Sequence, residues 1–185
     1  GEIHCKGARH QDLITFLNAV QQLGGEFQVK ADGITFIGKD AYNPLTITTD
    51  TFPGFSTDWQ QPFVVLMTQA AGESRMHETV YSDRFKYIDT LNEMGANVEI
   101  TYLPEEINGR FQLQNYSQSA IIHGPTSLTA TEMTVPDIRA GLAYIVAACV
   151  AEGTSVLDGL EHLERGYEDL FGKLKAIGAQ IEYHE

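Results

Sequence analysis

The chain has 185 residues, of which 43% are hydrophobic and 20% are charged, a composition typical of one globular domain over residues 1–185. The formal net charge of −13 argues against a nucleic-acid or an anionic-membrane partner. The longest apolar run, GLAYIVAACVA from Gly141, is too short to span a bilayer.

The first third of the chain predicts a helix between strands. GEIHC from Gly1 predicts a short strand, and residues 13–23 have the apolar spacing of an amphipathic helix. A left-handed glycine cap should end that helix, and residues 27–37 predict a β-hairpin around Asp32-Gly33. Residues 45–49 predict a further strand.

The middle third repeats this order after an additional helix over residues 58–71. GESRM from Gly72 predicts a strand, and residues 85–94 predict a second amphipathic helix. Residues 102–119 predict a loop, and residues 120–123 and 127–130 predict strands.

The last third predicts the same order again. Residues 137–151 are apolar nearly all round, which predicts a helix buried on every side. GTSVL from Gly153 then predicts a strand, residues 167–177 an amphipathic helix, and the residues after Gly178 a final strand.

An internal repeat links the three parts. LGGEFQV from Leu23 recurs as MGANVEI from Met94 and as IGAQIEY from Ile177, each at the end of an amphipathic helix. We therefore predict three α/β units around a bundle of buried helices. The buried helix of the first unit would precede Gly1, and there is no initiator Met, so we expect a truncated first unit in an excised or processed piece.

The cysteines and histidines indicate no metal centre. Cys5 and Cys149 have no CxxC or Cys/His spacing, and we expect buried free thiols in a reducing cytoplasm. The six histidines show no ligand spacing, and no phosphate-binding glycine motif is present.

Charged residues recur at matched positions. Asp58 and Asp137 begin the two predicted buried helices, and Arg84 and Arg165 precede the amphipathic ones, while Arg139 follows Asp137 by two residues. Helix N-termini favour anions, and arginine adds a planar fork suited to phosphate or carboxylate. In the competing interpretation, the two matched arginines are surface residues that pair with the acidic residues directly before them.

Asp58 has two interpretations as well. Thr57-x-x-Gln60 fits a capping box, which would place Asp58 at the first helical position, where the dipole favours a negative charge. Pro62 cannot donate to the Asp58 carbonyl, so the first turn should be loosened. A carboxylate that ends a loosened loop is also typical of a ligand site. Asp137 has the same pair of interpretations.

Several segments together resemble a known family over essentially the whole chain. FSTDWQQPF, HETVYSDRF, VPDIRAG, AEGTSVLDGLEHLERGYE and KLKAIGAQIE look like the C-terminal half of the UDP-N-acetylglucosamine 1-carboxyvinyltransferases. The resemblance implies an inside-out α/β barrel of βαβαββ units. It also implies transfer of enolpyruvyl from phosphoenolpyruvate to the 3-hydroxyl of UDP-N-acetylglucosamine, without a metal or organic cofactor. This is a cytoplasmic step of bacterial peptidoglycan synthesis, and hence of cell-wall growth, cell shape and division.

The resemblance also assigns roles. Asp58 matches the proposed general base for the sugar hydroxyl, and Asp137 matches a second catalytic carboxylate. Val80 matches a nucleotide-sugar contact. The matched arginines line the cleft around phosphoenolpyruvate and phosphate: Arg84, Arg139 and Arg165.

Two departures limit these expectations. Ser56 stands where the family usually has proline, which predicts a freer loop before Asp58. The family's catalytic loop, with cysteine or aspartate, belongs to an N-terminal domain that is absent here, and neither cysteine of this chain matches it. We therefore expect the chain alone to be inactive and its truncated unit to favour self-association. The alternative is a non-catalytic paralogue that binds a nucleotide-sugar or a protein.

Overall fold

A computed structural model describes residues 1–102 and 117–183. In chain order the described elements are β1 (Glu2–Lys6), α1 (Ile14–Gln22), β2 (Glu26–Lys30), β3 (Gly33–Ile37), β4 (Thr46–Thr48), α2 (Thr57–Met67), β5 (Gly72–His77), α3 (Tyr87–Glu93), β6 (Val98–Tyr102), β7 (Ser117–Gly124), β8 (Glu132–Thr134), α4 (Ile138–Val150), β9 (Val156–Asp158), α5 (Glu161–Glu164) and α6 (Leu170–Ala176). The predicted loop over 102–119 lies almost wholly outside the described residues.

The strands form three sheets. β1, β3 and β2 are antiparallel in that spatial order, with β2 and β3 joined as the predicted hairpin. The four-stranded sheet has the order β4-β5-β7-β6, in which only β4 and β5 are parallel. β8 and β9 form a two-stranded parallel sheet.

Three glycines confirm the repeated helix ends. Gly24, Gly95 and Gly178 follow α1, α3 and α6 with φ of 90°, 102° and 106°. These values lie in the left-handed region that favours glycine and ends a helix. The same local device therefore ends the corresponding helix of each unit, as the repeated segment predicts.

Helices α2 and α4 pack against each other in the core. Phe63, Val64 and Val65 of α2 and Ala143 and Ala147 of α4 are buried. The small side chains of α4 allow a close approach between the two helices. The predicted central helices are therefore confirmed, although the last turn of α4 is exposed and α2 ends at Met67 rather than at residue 71.

Two predicted strands are wrong. Residues 127–130 contribute only an isolated bridge from Thr129 to Glu152, and β8 begins two residues later. Residues 179–183 form no strand. An alternating pattern becomes a strand only where a neighbour pairs with its backbone, and no described strand lies beside this segment.

The cysteines are free, as predicted, but both are exposed rather than buried. Cys5 lies on β1, an edge strand whose residues are all exposed, and Cys149 lies in the exposed last turn of α4. An apolar sequence context therefore did not report burial here. No helix in the described parts of the chain has the length and apolar character needed to cross a membrane.

Candidate functional site

The start of α2 is capped one residue earlier than the capping-box pattern predicts. Ser56 is the N-cap, and its Oγ accepts from the Asp58 amide at 3.3 Å. The Thr57 hydroxyl instead donates to Glu78 Oε2 at 2.8 Å, and Gln60 Oε1 accepts from the buried Tyr87 hydroxyl. Asp58 is thus the second helical residue, and its carboxylate is not needed for the cap.

The Asp58 carboxylate lies between two guanidinium groups. Its Oδ1 is 3.3 Å from Arg139 Nε and 3.8 Å from Arg84 Nη1, and its side chain is 67% exposed. Asp58 belongs to α2, Arg139 to α4 and Arg84 to the segment before α3. Residues separated by 26 and 81 positions therefore meet at one point.

Arg84 is not the surface residue of the competing interpretation. Its side chain is only 10% exposed, and its guanidinium carbon lies 4.4 Å from the centre of the Tyr81 ring, a cation–π geometry. Asp83 pairs instead with Lys86, at 2.6 Å. Arg84 Nη1 is buried without a hydrogen-bond acceptor in the described structure, so it retains a donor for an anionic group.

Asp137 serves as the N-cap of α4. Its Oδ1 accepts from the amides of Arg139 at 2.7 Å and Ala140 at 3.1 Å. The capping interpretation is therefore confirmed. The predicted equivalence with Asp58 is offset by two residues, because the structural counterpart of Asp137 is the N-cap Ser56.

Arg165 does not precede an amphipathic helix, as the sequence predicts. It is the exposed C-cap residue of the four-residue helix α5, and α6 begins only at Leu170. The next residue, Gly166, is packed so closely on Ile138 that a Cβ there would clash with it. This segment therefore lies against the start of α4. The proposed pairing of Arg165 with the preceding residue falls on a side chain that is not described.

Tyr167 is a neighbour of the site that sequence reasoning missed. Burial raises the pKa of its hydroxyl, the charge of Asp58 raises it further, and Arg139 opposes the shift. The phenol therefore senses the charges on α2 and α4. Its place two residues after the matched Arg165 is the signal that could have identified it.

Val80 is half-buried, and its amide donates to Glu78 Oε1 at 2.8 Å. Glu78 itself is buried and was also missed, although an acidic residue directly after the buried end of β5 is an unusual placement. Within the described residues, no group of three His, Cys, Asp or Glu side chains could hold a metal ion.

Residues 1–174 match the family model for EPSP synthase (3-phosphoshikimate 1-carboxyvinyltransferase). A UDP-N-acetylglucosamine 1-carboxyvinyltransferase of Protochlamydia amoebophila (strain UWE25) is 48% identical over 189 residues, which cover 100% of this chain and 40% of that protein. The protein of the same name from Chlamydia muridarum (strain MoPn / Nigg) is 43% identical over 98% of this chain and 42% of its own length. The chain thus spans about two fifths of these curated relatives.

Solved structures agree on the fold. The enolpyruvyl transferase NikO from Streptomyces tendae superposes with a TM-score of 0.79 at 24% identity, over 98% of this chain and 39% of that one. EPSP synthase from Acinetobacter baumannii gives 0.65 at 19% identity, over 100% and 40%. The predicted α/β fold of enolpyruvyl transferases is confirmed.

Proposed function

Because the chain belongs to the enolpyruvyl transferase family, the family of EPSP synthase (3-phosphoshikimate 1-carboxyvinyltransferase), we propose that it carries one wall of a carboxyvinyl transfer site. The acceptor is the 3-hydroxyl of UDP-N-acetylglucosamine, the donor is phosphoenolpyruvate, and phosphate is released. The more similar curated relatives carry that acceptor in their names, whereas the EPSP synthase structure is far less similar in sequence. This supports the nucleotide-sugar over a shikimate substrate.

One observation carries the proposal: Asp58 lies within 4 Å of two arginine side chains from other elements. Both described ion pairs use Oδ1, so the arginines orient the carboxylate through that oxygen. Oδ2 is then the oxygen that accepts the proton of the sugar hydroxyl as its oxygen attacks the enolpyruvyl carbon.

The arginines have a second task in the proposal. Phosphoenolpyruvate brings carboxylate and phosphate charges, and the leaving phosphate must be stabilised in a preorganised setting. Arg84, with its buried unpaired Nη1, is the stronger anchor, and Arg139 lies at the open side of Asp58. Arg165 joins them from the segment packed on α4, and Val80 contacts the nucleotide-sugar.

Residues 1–185 are proposed to form most of the C-terminal half of a longer cytoplasmic enzyme of peptidoglycan synthesis. The opposite wall, with the family's catalytic loop, belongs to an N-terminal domain. We therefore expect the 185-residue chain alone to release no phosphate. Asp137 keeps its helix-capping contacts during turnover, and any contribution to the chemistry is made from that position.

The test compares the full-length protein with the 185-residue chain. Both are supplied with UDP-N-acetylglucosamine and phosphoenolpyruvate, and phosphate release is followed. We expect steady release from the full-length protein only. Nucleotide-sugar binding by a full-length protein that releases no phosphate would instead support the non-catalytic paralogue. Turnover by the chain alone would contradict the proposed need for a second domain.

A further inference from the structure

We propose that Glu78 is a positioning residue, which holds the Asp58 turn of α2 at a set place relative to the segment that carries Val80 and Arg84. The inference rests on the proposed function. It concerns how the site is held together and not which groups touch the substrate. Nothing in the sequence pattern or the family resemblance assigns Glu78 a role.

Glu78 is a buried acceptor for donors from three segments. Its side chain belongs to a residue that is 1% exposed. Oε1 accepts from the Thr49 hydroxyl at 3.0 Å and from the amides of Val80 at 2.8 Å and Tyr81 at 3.0 Å. Oε2 accepts from the Thr57 hydroxyl at 2.8 Å. One carboxylate thus joins the end of β4, the first residue of α2 and the turn after β5.

The two oxygens serve different sides of the site. Through Oε2 the carboxylate holds Thr57, whose chain neighbour is Asp58. Through Oε1 it holds the turn from which the chain continues to Arg84, three residues after Tyr81. The ion pair between Asp58 and Arg84 spans the same two segments. Glu78 is therefore a buried brace beneath that exposed ion pair.

Burial makes the brace rigid. A buried hydrogen-bonded network loses a full desolvation penalty when one member is left unsatisfied, so its members do not exchange partners freely. Thr49, Thr57 and Thr79 are buried too, and the Thr79 amide donates to Thr49 Oγ1 at 2.9 Å. A catalytic base held in this way keeps its place relative to the arginines without spending its own carboxylate on the helix start.

Thr57 and Thr49 provide a matched pair of variants. Each donates a buried hydroxyl to Glu78, and each can become valine with little change in shape. Only Thr57 adjoins Asp58. Thr49 makes the larger number of described contacts, because its Oγ1 also accepts from Thr79. A purely structural network thus predicts that Thr49→Val is at least as harmful to activity as Thr57→Val.

The positioning role predicts the opposite order. In the full-length protein we expect Thr57→Val to lower kcat by about 10–100-fold, because small misplacements of a catalytic group have such effects. The KM for UDP-N-acetylglucosamine should change by less than about threefold, since the substrate contacts remain. Thr49→Val should lower kcat less while lowering the melting temperature at least as much. Thr57→Ser keeps the hydroxyl and should restore kcat.

Crystal structures of the two valine variants give a readout that does not depend on activity. We expect the Asp58 carboxylate to move away from Arg84 in Thr57→Val and to stay in place in Thr49→Val. Equal losses of kcat that follow the melting temperatures, or an unmoved carboxylate in Thr57→Val, would overturn the inference. A wild-type protein that releases no phosphate would contradict the proposed function instead, and the structures would still test the brace.

Discussion

The starts of α2 and α4 place two aspartates in similar sequence patterns but in different contacts. At α4 the Asp137 carboxylate accepts two backbone amides and is itself the N-cap. At α2 the N-cap is Ser56, and the Asp58 carboxylate points away to Arg139 and Arg84. One aspartate starts a helix, and the other is left available for a ligand.

The difference shows how capping and chemistry are divided. A carboxylate that accepts two backbone amides is committed to the helix, because releasing it would leave those donors unsatisfied. Ser56 removes that demand at α2, and the link from Thr57 to Glu78 supplies the rigidity that the cap alone would not. The two aspartates therefore make opposite predictions for the same substitutions.

Activity should separate the two aspartates most strongly. In the full-length protein, Asp58→Asn should lower kcat by about 10²–10⁴-fold, the usual effect of losing a general base. Asp137→Asn keeps a side-chain oxygen that can cap the helix, so its effect on kcat should be much smaller. The measurement is steady-state phosphate release with both substrates near saturation.

Melting temperatures provide the control, since neither substitution should unfold the protein. An unchanged rate in Asp58→Asn would leave that carboxylate without a catalytic role. An equal loss in Asp137→Asn would show that the capping carboxylate also takes part in the chemistry, as the family resemblance implies, and the comparison would then fail.

Stability should separate the two caps in the reverse sense. Asp137→Ala removes two charge-assisted bonds and should lower the free energy of unfolding by about 1–2 kcal/mol. Ser56→Ala removes one bond of 3.3 Å and should cost about 0.5–1 kcal/mol. Urea unfolding of the 185-residue chain measures both values.

Asp137→Asn and Ser56→Thr are the matched controls for these caps, because each keeps an acceptor for the helix amides. Both should stay close to the wild type. A larger loss in Ser56→Ala than in Asp137→Ala would mean that the start of α2 depends on its cap more than the contacts of Thr57 suggest.

Much of the fold was predictable because it depends on local chemistry. The glycines that end α1, α3 and α6 adopt the left-handed conformation that their positions require, and the Asp32-Gly33 hairpin forms as expected. The strand predicted for residues 179–183 failed because pairing depends on a neighbour that a local pattern does not report. The exposure of Cys5 and Cys149 failed for a related reason, since burial is decided by what packs over a segment.

The site was predictable only in part. Matched positions identified Asp58, Arg84 and Arg139, and the structure brings their side chains together. The cap at Ser56 was missed because serine and threonine are both good N-caps, and the choice between them depends on Glu78, which lies 21 positions from Thr57. Tyr167 was missed because its link to Asp58 exists only in the folded chain.

Tyr167 gives the smallest expected effect and the most direct measure of the charge at each aspartate. Its pKa is raised first by burial and then by Asp58, whereas Arg139 lowers it. Removing the charge in Asp58→Asn should therefore lower the pKa of Tyr167, and removing the opposing charge in Arg139→Gln should raise it. Asp137→Asn should leave it near the wild-type value, because that carboxylate is directed to the helix amides. Titration of ring-labelled tyrosine by NMR, with Tyr167→Phe to assign the signal, measures each shift. A shift in Asp137→Asn as large as that in Asp58→Asn would show that both carboxylates act on the site, and that capping does not remove the charge of Asp137 from the cleft.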